Sequence, residues 1–190
     1  CLSFPLLGYV LPEGLVGRFM SIGSLADSST YYRVLTWRGV LDMLREVWVG
    51  GIGVGQAAFE QLYPAFAYAG TELAPHAHNL AIEVLAETGI SGLVILTIII
   101  LLFIQNCFEF ISHSASPGED KLVAAAGLCG IISILVMGLF DYIWYNYRVF
   151  FLFWVVMALT TSYITSSRNE NETVYDRLGA DSADISIFIG

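Results

Sequence analysis

The chain has 190 residues, of which 56% are hydrophobic and only 13% charged, with a mean hydropathy of +0.69 and a formal net charge of −9. A soluble globular domain carries about 25% charged residues, so the composition excludes an ordinary soluble enzyme. The acidic balance also excludes the basic surface that nucleic acid requires, and no nucleic-acid partner is expected.

The deficit of charge is concentrated in blocks, and the fold class this implies is an all-α membrane protein. Residues 1–11 read as the end of a transmembrane helix. The chain begins at Cys1 without the pattern of a signal peptide, and it reads as the C-terminal piece of a larger multi-pass protein. Residues 12–91 form one long segment, amphipathic rather than polar, expected to lie on or fold back into a membrane face.

Three parts of that segment stand out. In the first, DSSTYYRVLTWRGVLDMLREVW, residues Asp27 to Thr30 are all plausible helix N-caps. At about 100° per residue, Trp37, Val40, Leu41, Leu44, Val47 and Trp48 make one apolar stripe, with Arg38, Asp42, Arg45 and Glu46 opposite. Arg33 lies in line with the stripe. It is either an arginine snorkelling at an interface or one aimed inward at an anion. In the second part, Gly53, Gly55 and Ala58 match GxGxxA, the loose dinucleotide fingerprint. No strand precedes it and no acidic residue follows at the right distance, so a tight glycine turn is the better account. In the third, residues 78–88 fit a short helix. His78, Ile82, Leu85 and Gly89 share one face, Glu83 and Glu87 the other, and Gly89 is placed as the residue after the cap.

Residues 92–110 are then a transmembrane helix, 111–120 a short loop, 121–141 a second transmembrane helix and 142–148 a second short loop. Residues 149–165 are a third span. Each block is near the ~20 residues needed to cross ~30 Å of hydrocarbon. Residues 166–190 hold five acids and two bases with no helical period, and read as a disordered acidic tail. Cys107 and Cys129 fall inside spans, so no structural disulfide is expected. The alternation of spans returns Asp141, Tyr145, Tyr147 and Arg148 to the face that carries His78 and Arg33. A charge at span depth costs about 2.5–3.5 kcal/mol, so Asp141 and Arg148 are expected to pair with each other or to contact a ligand. The long loop escapes the positive-inside count, which leaves orientation open.

His76 and His78 allow three readings. A metal site needs three or four ligands, and Glu83 and Glu87 project away from His78 on the expected helix, so no metal is assigned. The second is a structural histidine tied to a carbonyl or a headgroup. The third is an acid–base histidine beside an anion-binding arginine. That pair suits transfer of a group from a diphosphate-linked donor to a hydroxyl, and it requires no metal.

The order of these features resembles a known family. Ser28 and then Tyr31-Tyr32-Arg33 precede Trp37. The turn Gly51-x-Gly53-x-Gly55 is followed by Phe59 and Tyr63-Pro64. His78-Asn79, nine residues, and Gly89-Ile90-Ser91-Gly92 match the H[NSQ]x9GxxG signature, and LFDYIWYNYR (139–148) precedes a last span. This is similar to the O-antigen ligase and O-antigen polymerase superfamily of bacterial envelope glycosyltransferases, over about residues 20–163. The resemblance implies a multi-pass, GT-C-like fold with a large external loop of amphipathic helices. It implies an undecaprenyl-diphosphate-linked glycan donor, a glycan, lipid-core or protein acceptor, and no cofactor. It places the chain in the bacterial inner or plasma membrane with residues 12–91 on the external (periplasmic) side and the tail inside. By the same resemblance, His78 is the catalytic base or acceptor-orienting residue and Arg33 holds the donor diphosphate. Arg38, Asn79, His76, Tyr147 and Arg148 are substrate-binding candidates, and Gly89 and Gly92 shape the corner into the span. Competing readings are a small-anion (bicarbonate-like) transporter with Arg33 and Arg148 along its path, a protein-directed oligosaccharide transferase, and a structural membrane subunit.

Overall fold

The computed structural model describes residues 28–113 and 116–188, and every regular element among them is helical. The expected span end at residues 1–11 and the loop up to Asp27 lie outside the described residues. The elements are α1 (Ser28–Val47), α2 (Gln56–Leu62) with a 3-10 turn at Tyr63–Ala65, α3 (Leu80–His113), α4 (Gly118–Gly138), a 3-10 turn at Ile143–Tyr145, and α5 (Tyr147–Phe188).

Segments Leu80–Ser112, Gly118–Gly138 and Tyr147–Asn171 are long and apolar enough to cross a membrane. They pack on one another through Phe103, Cys107, Phe110, Ile131, Phe153 and Met157. Their outer faces leave Ile95, Leu101, Leu102, Phe108, Leu122, Phe151 and Leu159 exposed. In water that surface would be untenable. In lipid it costs nothing, because the acyl chains are as apolar as the side chains. A side chain added at Gly127 would run into Thr160, so this glycine lets α4 and α5 approach closely. At one end of the bundle Asp120 accepts hydrogen bonds from Tyr163 (2.8 Å) and Ser167 (2.7 Å), clasping the start of α4 to α5.

A second core sits at the opposite end, where α1, α2 and the first turns of α3 meet. Val40, Met43, Phe59, Tyr63, Ala77 and Ala86 are buried there. Full burial of a side chain such as Phe or Met stabilises by about 1.5–3 kcal/mol. Phe59 and Tyr63 stack at 4.9 Å, and the Tyr63 hydroxyl reaches Thr71 Oγ1 at 2.9 Å. The buried face of α1 is Thr36, Gly39, Val40, Met43 and Leu44. It is therefore rotated from the expected stripe: Leu41 and Trp48 are about half exposed. The small residue drives this choice, since Gly39 lets Tyr63 and the Phe66 carbonyl come against the helix.

The glycine turn and α3 are joined by exchanged backbone bonds. Gly89 adopts φ 69°, ψ −173° and kinks α3. The kink takes Ile90 N–H away from its own helix, and it donates to the Trp48 carbonyl at 2.8 Å. The carbonyls of Ala86 and Glu87 accept instead from Ile52 N–H (2.8 Å) and Gly53 N–H (3.0 Å). These three backbone groups at the kink thus find partners outside their own helix. Gly51, at φ 70°, sits against the Glu87 carbonyl where a Cβ would collide. The glycines serve this joint, which agrees with the turn reading and leaves nothing for a nucleotide fingerprint to explain.

Two further expectations differ from the structure. The helix expected from His78 begins at Leu80, because Asn79 is its N-cap: Asn79 Oδ1 accepts from Ile82 N–H at 3.0 Å. The tail read as disordered is helical as far as Phe188, continuous with the last span. No proline interrupts residues 147–188, and Gly179 is the first glycine in that stretch, so nothing local stops a helix already nucleated in the span.

Candidate functional site

The site forms where the end of α4 and the following loop meet the His76–Asn79 segment. Four local causes fix that segment. Trp37 of α1 donates its indole N–H to the Ala77 carbonyl at 2.8 Å. Ala77 N–H donates to Glu83 Oε2. Asn79 Nδ2 donates to the Leu139 carbonyl at 2.9 Å. Gly138 lets Leu80 seat on the last turn of α4.

So held, His78 takes a positive φ of 49°, the one non-glycine residue to do so among the described residues. Such a backbone costs about 1–3 kcal/mol and persists only when the surroundings impose it. Its consequence is the placement of the imidazole. His78 Nδ1 lies 3.0 Å from Asp141 Oδ1, with the two side chains 17% and 40% exposed. Asp141 Oδ1 also accepts from Tyr142 N–H at 2.9 Å. The Tyr32 ring stands edge-on to His78 at 5.9 Å.

His76 lies beneath. Its ring is 4.4 Å from that of His78, stacks on Tyr145 at 5.3 Å, and meets Tyr142 edge-on at 5.6 Å. Its Nδ1 accepts from His78 N–H at 3.2 Å. Burial first, and then the neighbouring His78, push His76 down to about 4, so it is neutral at physiological pH. Burial, and then Glu87, push the Tyr142 hydroxyl well above the ordinary phenol range.

Beside His76 opens a hollow of about 180 Å³ walled by Gly55, Pro75, His76, Glu83, Glu87, Tyr142, Trp144 and Tyr145. Glu87 Oε1 accepts from Gly55 N–H at 2.9 Å, and the Tyr142 hydroxyl approaches Glu87 Oε2 at 3.5 Å. The two glutamates face this hollow because the glycine turn packs over their side of the helix. In the sequence their signal is two acids four residues apart in an otherwise apolar helix.

Of the expected site residues, His76, His78 and Asn79 come together. Asp141 joins them rather than Arg148. Arg148 is exposed and its Nε donates to the Tyr147 hydroxyl at 3.3 Å. Arg33 is half-buried on the same turn as Tyr32, and it makes no hydrogen bond or ion pair among the described residues. Arg38 is exposed. Gly89 makes the kink, and Gly92 leaves room for Thr88 within α3. His76, His78 and Asp141 also offer three ligand atoms within 4.8 Å of one another, a set the sequence does not announce because Asp141 is remote. Internal bonds already use His76 Nδ1 and His78 Nδ1.

A family model described as O-antigen ligase matches residues 2–97, half of the chain. The matched region holds α1, the glycine turn, His78 and the Gly89 kink, whereas Asp141 lies beyond it. No curated protein and no solved structure matches the chain significantly.

Proposed function

The chain belongs to the O-antigen ligase family, and from that membership we propose that it carries the reaction centre of a membrane glycosyltransferase. The enzyme moves a glycan from an undecaprenyl-diphosphate carrier to a sugar hydroxyl on the external membrane face, without a metal ion. The observation that carries this reading is the 3.0 Å contact between His78 Nδ1 and Asp141. Asp141 accepts from Nδ1–H, which leaves the Nε2 lone pair for an acceptor hydroxyl. The acceptor oxygen bonds to the anomeric carbon as the bond to the carrier diphosphate breaks. The hydroxyl proton passes to His78 Nε2, and the diphosphate departs with the bonding electrons. Arg33, without a counter-ion among the described residues, neutralises that departing charge. The other supports are the family match and the three helices able to cross a membrane.

The test uses the full-length protein in nanodiscs with lipid-linked glycan, a panel of acceptors and EDTA. Wild type is expected to transfer glycan, His78→Ala to be slower by about 10²–10⁴, and Arg33→Ala to lose donor turnover with insertion intact. Normal transfer by His78→Ala, or transfer abolished by EDTA alone, would overturn the mechanism.

A further inference from the structure

His76, His78 and Asp141 each present one ligand atom, and the three atoms lie within 4.8 Å of one another. His78 Nδ1 and Asp141 Oδ1 are 3.0 Å apart. Ligands bonded to a tetrahedral zinc ion at about 2.0–2.1 Å stand about 3.3 Å from one another. One edge of such a site is therefore already present, and the widest gap has to close by at most roughly 1.5 Å. Asp141, with its side chain 40% exposed, has the freedom to close it. The histidines are held in advance, because Ala77 between them is fixed from both sides: its carbonyl accepts from Trp37 and its N–H donates to Glu83. Their ring centroids are 4.4 Å apart.

The donor set selects the ion. Two imidazole nitrogens and one carboxylate suit zinc and similar transition ions, whereas magnesium and calcium want oxygen throughout. His76 Nδ1 carries a lone pair, since it accepts from His78 N–H at 3.2 Å. The Tyr142 N–H donates to Asp141 Oδ1 at 2.9 Å and orients that carboxylate from behind, as the outer partners of metal ligands do. Three protein ligands leave a fourth position, which water fills because His78 and Asp141 are both partly exposed.

We propose that His76, His78 and Asp141 form an inhibitory zinc site that switches the base off. The ion enters between His78 Nδ1 and Asp141 Oδ1 and replaces the hydrogen bond that joins them. It also takes His76 Nδ1 from the His78 N–H. The His78 imidazole stays neutral and keeps one proton, which moves from Nδ1 to Nε2. Nε2 then has no lone pair for the acceptor hydroxyl, and proton transfer stops. Transfer itself proceeds without a metal, and removal of zinc restores it. The effect on turnover rests on the transferase reading, and binding rests on the geometry alone.

The experiment titrates Zn²⁺ into the full-length protein in nanodiscs, with every polyhistidine tag removed, against a fluorescent zinc chelator. Mg²⁺ is the control ion. Glycan transfer is measured in parallel, each variant being compared with its own rate in EDTA. His76→Phe keeps the aromatic packing and removes one ligand, and Asp141→Asn removes another. Wild type is expected to bind Zn²⁺ with micromolar or tighter affinity, and both variants to bind at least about tenfold more weakly. Zinc should slow wild-type transfer at least about tenfold, reversed by EDTA, and the inhibitory concentration should rise at least about tenfold in His76→Phe. Mg²⁺ should do neither. A melting temperature close to that of wild type certifies each variant, and if one fails to fold the other carries the binding test. Absence of zinc binding to wild type, or binding unchanged in the folded variants, overturns the site. Binding without inhibition overturns the switch. If zinc does not bind while transfer still depends on His78, the transferase reading stands without it. If zinc binds as expected but lipid-linked donor is never turned over, the transferase reading falls and the metal site remains.

Discussion

At the scale of single residues, the centre depends on groups that are neutral or paired for stated reasons. His76 shows this in its pH behaviour. Its folded value near 4 lies below the ordinary 6.5 because burial penalises the imidazolium and His78 adds to the effect. As pH falls, the unfolded chain takes up that proton first. The contribution of His76 is therefore fully present above about 6.5 and is lost between 6.5 and 4, by at most about 3 kcal/mol. Melting curves in detergent at pH 7 and pH 4.5 should show wild type losing more stability than His76→Gln over the same interval. Equal losses would mean that His76 is solvated as an ordinary surface histidine. Glu83 makes a second case. Glu83→Ala strips Ala77 N–H of its buried acceptor and should cost about 1–3 kcal/mol, whereas Glu83→Gln should cost less. His78 and Asn79 were legible from their spacing to Gly89 and Gly92. The partner of His78 was not, because Asp141 is 63 residues away and pairing at that separation leaves no trace in local pattern. Pairing of Asp141 with Arg148 and contact with a ligand were the two alternatives for these charges, and Asp141 meets His78 instead.

At the scale of elements, hydropathy located the three helices long and apolar enough to cross a membrane, because a length of apolar chain is a local property. The glycine turn was legible as a turn, but its target was not. It docks on the end of a helix some 35 residues later and supplies the donors that the kink displaces. The face of α1 was misjudged for a related reason: Trp37, Leu41 and Trp48 are apolar, yet Gly39 decides which side can approach Tyr63. The joint makes a sharp prediction. Gly89→Ala places a side chain at φ 69° against the Val49 carbonyl. It should lower the melting temperature by several degrees, with backbone strain of about 1–3 kcal/mol, and transfer should fall with it. Gly130→Ala, in a helix with open space around the new methyl, should be neutral or slightly stabilising, by up to about 1 kcal/mol. Equal melting temperatures for the two variants would show that the kink is not held by these contacts.

At the scale of the whole molecule, two cores divide the work. The bundle of α3, α4 and α5 supplies a frame whose outer surface suits lipid. The smaller core of α1, α2 and the start of α3 positions His78. The His78–Asp141 contact bridges them, since His78 belongs to the second and Asp141 to the loop that leaves α4. That division explains why composition announces a membrane protein while the site is only half visible in the sequence: one member of the pair has a motif and the other has only a position in space. The most direct measurement is therefore the rate of glycan transfer by Asp141→Asn in the full-length protein, with donor saturating and EDTA present. An asparagine fills the same space without the charge that holds Nδ1–H and stabilises the imidazolium. The expected kcat is lower by about 10–10³ with donor KM unchanged, as for a base that has lost its orienting partner. A variant that folds, binds donor and transfers at the wild-type rate would contradict it.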